Sequence, residues 1–287
     1  MGLGIMATQP FSKQIGRLRT DYTAPLGLLI GLGGILLGLV LEGGRIAEVA
    51  QVTAAVIVFG GTLGAVILTT PASMLKSAMR RLKHVLFEED APMEPIIEAI
   101  VGLAAKARKN GIVSLEQEIA QVQYPFLYRG LMLAVDGTAT TEMRELLELE
   151  MKLDIADAEL DAKVFEAAGG YAPTIGILGA VIGLIQVMKH LDNLSQVGAG
   201  IAVAFVATIY GVGSANLLLL PLGQKIRLRA QKSMRIKQLM LEGIMSISQG
   251  INPRLIRRKL DTFQRSDKRF QRSSTQLEAT PSRAASA

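Results

Sequence analysis

Two stretches, GYAPTIGILGAVIGLIQVM (residues 170–188) and GIAVAFVATIYGVGSANLLLLPLGQKI (residues 200–226), decide how this chain folds. No Asp, Glu, Lys or Arg occurs from 167 to 188 or from 193 to 224, windows of 22 and 32 residues. A bilayer core of about 30 Å takes roughly 20 apolar helical residues to cross. A helix also satisfies its own backbone hydrogen bonds where there is no water. Both windows therefore read as membrane spans.

Outward from them, two more charge-free windows run from 22 to 41 (20 residues) and from 49 to 75 (27 residues), while the longest gap elsewhere is 12. Four transmembrane helices are expected, at 22–41, 49–70, 171–190 and 198–221. The composition agrees: 49% of the 287 residues are hydrophobic and 20% charged, with a mean hydropathy of +0.34. So many charges in so apolar a chain must be segregated. Lys13, Arg17 and Arg19 precede the first run as they would in a secretory leader. That run fills a whole span, however, and Glu42-Gly43-Gly44 does not form a small-residue cleavage site.

Of the 31 Lys and Arg residues, all but Arg45 and Lys189 fall in three segments: the N-terminal arm, 70–172 and the region from 223 onward. By the positive-inside rule these segments are cytoplasmic, and 42–48 and 189–197 face outward. The expected order is an N-terminal arm (1–21), a hairpin of two spans, a helical cytoplasmic domain (71–170), a second hairpin, and a basic helix and tail (222–265). From 266 to 287 Ser, Thr, Arg and Ala dominate without periodicity, and disorder is expected.

The fold class is all-α. Ile96, Ile97, Ile100, Leu103, Ala104 and Ala107 recur at spacings of three and four, giving one apolar face over 93–109. Leu146, Leu149, Leu153, Ile155 and Leu160 predict a similar face over 142–168, beneath a dense acidic one. Lys225, Arg227, Arg229, Lys232, Arg235 and Lys237 ride on a helix leaving the fourth span. They read either as solvated positive-inside residues or as a surface for membrane lipid headgroups.

Membrane helices pack by backbone approach over small residues. The first span shows Gly27, Gly31, Gly34 and Gly38; the third Gly176, Gly179 and Gly183; the fourth Gly211 among alanines. These stripes predict spans packed on protein along one side. Pro173 and Pro221 each free a backbone carbonyl at the cytoplasmic ends of the third and fourth spans. Pro173 alone reads equally as a helix-start proline, but the pair at one depth points to a hinge.

The absences also direct the reading. Without cysteine there is no disulfide, thiol nucleophile or thiolate metal site. Two histidines, His84 and His190, leave little material for a metal centre or a triad. No metal, cofactor, enzymatic activity or nucleic-acid partner is expected. No span carries a carboxylate, lysine, arginine or histidine at mid-depth, although an ion path normally needs one. A conducting chain of this kind must borrow its titrating group from another subunit.

The two opening stretches, with ARKNGIVSLEQEI (107–119) and EGIMSISQGINPRLIRRKL (242–260), resemble the MotA/PomA family of bacterial flagellar stator subunits. The resemblance covers most of 22–262 in the same order. It implies a bacterial inner-membrane protein with cytoplasmic termini, five copies of which surround two copies of a MotB-type partner. That single-span partner supplies a membrane aspartate and binds peptidoglycan. The resemblance further implies that Arg108, Lys109, Glu116 and Glu118 engage the rotor protein FliG, and that Pro173 and Pro221 couple ion passage to the cytoplasmic domain. Where sodium-driven relatives place threonines along the ion path, this chain has Ala180 and Ala207, leaving Thr208 as the main hydroxyl. Dehydrated sodium would lack oxygen ligands, so a proton is the expected ion. An ExbB/TolQ-type motor is the alternative, but such relatives have three spans in a different loop order. A transporter would want internal repeats with broken helices around a substrate site.

Overall fold

The computed structural model describes residues 23–87 and 92–278. All regular structure among them is helical. The first hairpin comprises α1 (Thr23–Leu41) and an interrupted second span. That span runs through α2 (Ile46–Val49), a break at Ala50 and Gln51, α3 (Val52–Ala55), a π turn at Val56–Gly60 and α4 (Gly61–Thr69). Thr70 is extended because Pro71 follows it, and α5 (Ala72–Phe87) begins beyond. Then come α6 (Met93–Asn110), a 3₁₀ turn at Ile112–Leu115, α7 (Glu116–Ile119), α8 (Pro125–Val135) and α9 (Thr140–Lys189). The last elements are α10 (Leu194–Ser214), a π turn at Ala215–Leu219, α11 (Leu220–Ser248) and α12 (Pro253–Glu278). Asn193 caps α10, its side-chain oxygen accepting from the Ser195 and Gln196 N–H groups.

Three helical stretches are long and apolar enough to cross a membrane by length and composition alone, within Ile46–Thr69, Thr140–Lys189 and Ser195–Ser248. The first apolar segment is shorter by that measure, Pro25–Leu41. Its helix α1 has 19 residues, about 28 Å at 1.5 Å per residue.

The chain divides into two compact units, and the division does not follow chain order. One unit holds the spans with α5 and the part of α9 from 154 onward; the other is built from 90–153 and the chain after 231. The expected domain 71–170 is therefore shared between them.

The second unit has the larger apolar core. Ile96, Ile97 and Ile100 of α6, Leu127 and Leu131 of α8, Leu239 and Ile244 of α11 and Ile256 and Leu260 of α12 are all fully buried. Burying each such side chain contributes about 1.5–3 kcal/mol. The predicted face of α6 is the buried one. On α9 the burial differs from expectation: Met143, Leu147, Met151, Ala158 and Ala162 are buried, while Leu146, Leu149, Leu153 and Leu160 are exposed. Two neighbouring apolar stripes share that helix, and leucine content singled out the wrong one.

α12 also runs beyond expectation, staying helical from 266 to 278, where disorder was expected. Its first turns are fastened by Ile256 and Leu260, and by Arg257 and Gln264 on the Glu94 carboxylate, so the helix propagates from a fixed start. The N-terminal arm and 279–287 lie outside the described residues.

Candidate functional site

Charged residues converge at the end of α6. Arg108 and Lys109 occupy its last turn, where cations complement the helix dipole. Gly111 stops the helix at φ +85°, a conformation disfavoured for any side chain. Its N–H donates to the Ala107 carbonyl at 2.8 Å, and the Ser114 hydroxyl donates to the Gly111 carbonyl at 2.6 Å. Leu115 and Ile119 are fully buried and pin the turn from below. The result presents Arg108, Lys109 and Glu116 to solvent, with Val113 exposed between them.

Glu118 differs from the other three. It is half-buried and paired with Lys106 at 2.5 Å, a partner the sequence reading missed although it stands on the preceding helix at a compatible position. Among the described residues no ion pair engages Arg108, Lys109 or Glu116.

In the span unit α9 and α10 meet backbone to backbone. A methyl group on Gly176 would stand 2.9 Å from the Ala207 carbonyl oxygen, one on Gly183 2.8 Å from the Ala204 nitrogen, and one on Gly211 2.6 Å from the Ala172 carbonyl oxygen. A methyl on Gly179 would meet the Ala207 side chain at 2.8 Å. Ala207 is thus fully buried in this seam, whereas Ala180 and Thr208 are half-buried. The Thr208 hydroxyl donates to the Ala204 carbonyl at 3.2 Å, which commits its proton and leaves its lone pairs outward. In α1 the expected packing is absent within the chain: methyl groups on Gly27, Gly34 or Gly38 would meet nothing within 4 Å, and one on Gly31 only a Leu217 methyl.

Pro173 lies inside α9, not at a helix start. It removes the hydrogen bond to the Gly169 carbonyl of a continuous helix. Pro221 follows the π turn at Ala215–Leu219 after one residue, Leu220. A proline ring crowds the carbonyl four residues back, here that of Leu217, and the wider turn relieves the crowding.

Three features of this unit escaped the sequence reading. Tyr210 bridges the interruption of the second span: its hydroxyl donates to the Val49 carbonyl at 2.6 Å and accepts the Gln51 N–H at 3.3 Å. Its ring stacks on Phe59 with centroids 5.8 Å apart. Asp161, only 2% exposed, takes a hydrogen bond from Ser77 at 3.1 Å and an ion pair from Arg81 at 2.5 Å. Thr62 is buried with its hydroxyl unpartnered. Asp161 was detectable, being an acid set among Ala158, Ala162 and Phe165; the Tyr210 contact spans 161 residues and left no local signal. The basic run on α11 is partly internal as well, because Arg227 pairs with Glu166 at 2.5 Å and Lys237 lies over the Phe126 ring.

Apolar helices sealed by small residues, joined to a helical unit with an exposed charged turn, define a polytopic membrane protein with a helical domain outside the spans. Comparison with known proteins narrows the class. The family described as Motility protein A N-terminal matches residues 25–111, and the MotA/TolQ/ExbB proton channel family matches 118–239. Motility protein A of Bacillus subtilis is 34% identical, over 84% of this chain and 89% of its own length. Chemotaxis protein PomA of Vibrio alginolyticus is 30% identical, over 87% and 97%. In the solved structure of the flagellar MotAB stator complex from Bacillus subtilis, one chain matches with a TM-score of 0.80 and 32% identity, over 88% of this chain and 99% of that one. The chain belongs to the MotA/TolQ/ExbB proton channel family, as a flagellar stator subunit of its motility protein A group.

Proposed function

We propose that this subunit, with a MotB-type single-span partner, forms a proton path across the bacterial inner membrane and turns proton flow into torque on the rotor protein FliG. The reading rests above all on one observation: the spans hold no carboxylate, lysine, arginine or histidine at mid-depth, so the proton-accepting aspartate comes from the partner. Five copies around two partners, with cytoplasmic termini, complete the assembly.

In this reading Ala180 and Thr208 line the path on the partner's side, and Ala207 sets the width of the seam behind them. Thr208 offers lone pairs to a water chain but too few oxygens for dehydrated sodium. Pro173 and Pro221 give the third and fourth spans a weakened backbone where they leave the membrane. Displacement there reaches the exposed turn, where Arg108, Lys109 and Glu116 act on complementary rotor charges. Glu118, tied to Lys106, contributes its charge from within the turn's own scaffold.

Reversing two charges together, Arg108→Glu with Glu116→Lys, is expected to abolish swimming while membrane levels and partner co-purification stay at wild-type values. Normal swimming in that variant would remove the rotor-contact assignment. Speed that follows external sodium at constant proton-motive force would reverse the choice of ion.

A further inference from the structure

The stripe on α9 that the core leaves uncovered is regular. Leu146, Leu149, Leu153, Ala156 and Leu160 recur at spacings of three and four, the a and d positions of a heptad, and the four leucines are 46% to 57% exposed. This part of α9 precedes the third span, so lipid chains do not cover it. Asp157 and Glu159, both exposed, flank the stripe at its lower end. Two parallel α9 helices joined along it would set these carboxylates against like charges. The surface therefore calls for an apolar partner edged with cations.

Such a surface exists in the unit that holds Ala156 and Leu160. α5 exposes Lys76, Met79, Arg80 and Lys83 on one side, and Met79 is 53% exposed. Its other side rests on α9, where Ser77 and Arg81 hold Asp161. The basic side of α5 consequently lies at the level of Asp157 and Leu160 along the α9 axis. Copies of a chain in one membrane share one orientation and are related by rotation about the bilayer normal. A ring contact between them joins two different patches at one depth.

We propose that the α5 face of one copy, Lys76, Met79, Arg80 and Lys83, docks on the α9 face of the next, Ala156, Asp157, Glu159 and Leu160. The contact is heterologous, so it propagates from copy to copy until the ring closes. It deepens the homo-oligomer reading above and rests on it.

The absence of native cysteine makes the test clean. Met79→Cys and Leu160→Cys are introduced into the full chain, co-expressed with its partner, and oxidised in native membranes. A disulfide forms only when the two Cβ atoms come within about 4 Å, so it reports direct apposition. The double variant is expected to give a ladder of linked copies, mixed single variants a dimer only, and each single variant alone no product. Asp157→Lys with Glu159→Lys should abolish the ladder, and adding Lys76→Glu with Arg80→Glu should restore it. A dimer from Leu160→Cys alone, or no product in a complex that sizing shows to be oligomeric, overturns the interface. So does a swap that fails to restore the ladder while Lys76→Glu with Arg80→Glu lowers binding of phosphatidylglycerol vesicles, since the cations would then serve the lipid. A complex with one copy of this chain would instead remove the homo-oligomer reading.

Discussion

The glycines of α1 and those of the α9–α10 seam follow one sequence pattern and meet different surroundings. In the seam, Gly176, Gly183 and Gly211 face backbone of the neighbouring helix so closely that one added carbon would overlap it. In α1, Gly27, Gly34 and Gly38 face open space. Small residues at helical spacing state that a close approach is permitted; a partner backbone is still needed to use the permission.

Substitution should separate the two regions sharply. Gly211→Val places atoms against the Ala172 carbonyl, which backbone cannot yield cheaply. Overpacking of this kind costs about 1–3 kcal/mol or more, and the expected result is loss of the protease-resistant span unit in membranes. A variant as resistant as wild type would show that the seam opens freely. Tyr210→Phe should have a smaller effect, about 1 kcal/mol for the lost hydrogen bonds. Its signature is local: faster amide exchange at Gln51, with the α9–α10 seam still protected.

Acid distinguishes the seam from the second unit. Burial pushes the Glu242 carboxyl up, but hydrogen bonds and charge from Lys259 and Arg144 pull it further down, so it titrates below the ordinary carboxylate range. A depressed carboxylate contributes stability above its unfolded value and loses it as pH falls through the folded one. Melting of the α6–α8–α11–α12 core should therefore soften only as pH drops below the ordinary glutamate range. The seam has no carboxylate or histidine to take up a proton and should hold; equal softening of both would contradict the assignment. The smallest change is expected from Gly34→Ala, which meets nothing in the chain and should leave its stability within about 0.5 kcal/mol. A clear loss of complex, with the isolated chain unaffected, would reveal a helix from outside seated on α1.

Legibility varied with the range of the interaction. The spans and the α6 face stood out because each is a pattern within one helix, whereas the charged turn reads by itself as a solvated loop and was singled out only by its family resemblance. The Lys106–Glu118 pair, the Tyr210 bridge and the partners of Asp161 were not visible, since each depends on which neighbour a side chain meets; the Asp161 acid alone was detectable, among apolar residues of its own helix. α9 shows the limit most clearly: it carries two apolar stripes, and the richer in leucine is the one left exposed.

Charge segregation by itself determined that four apolar segments seek the membrane and that none supplies a proton-accepting acid there. Transfer free energy depends on what a residue is, and a sequence states that completely. The tertiary structure alone decided which glycines touch backbone, which α9 face is buried, and which carboxylate is neutralised from within. Those outcomes depend on where other helices lie, and spacing along one chain does not encode the position of its neighbours.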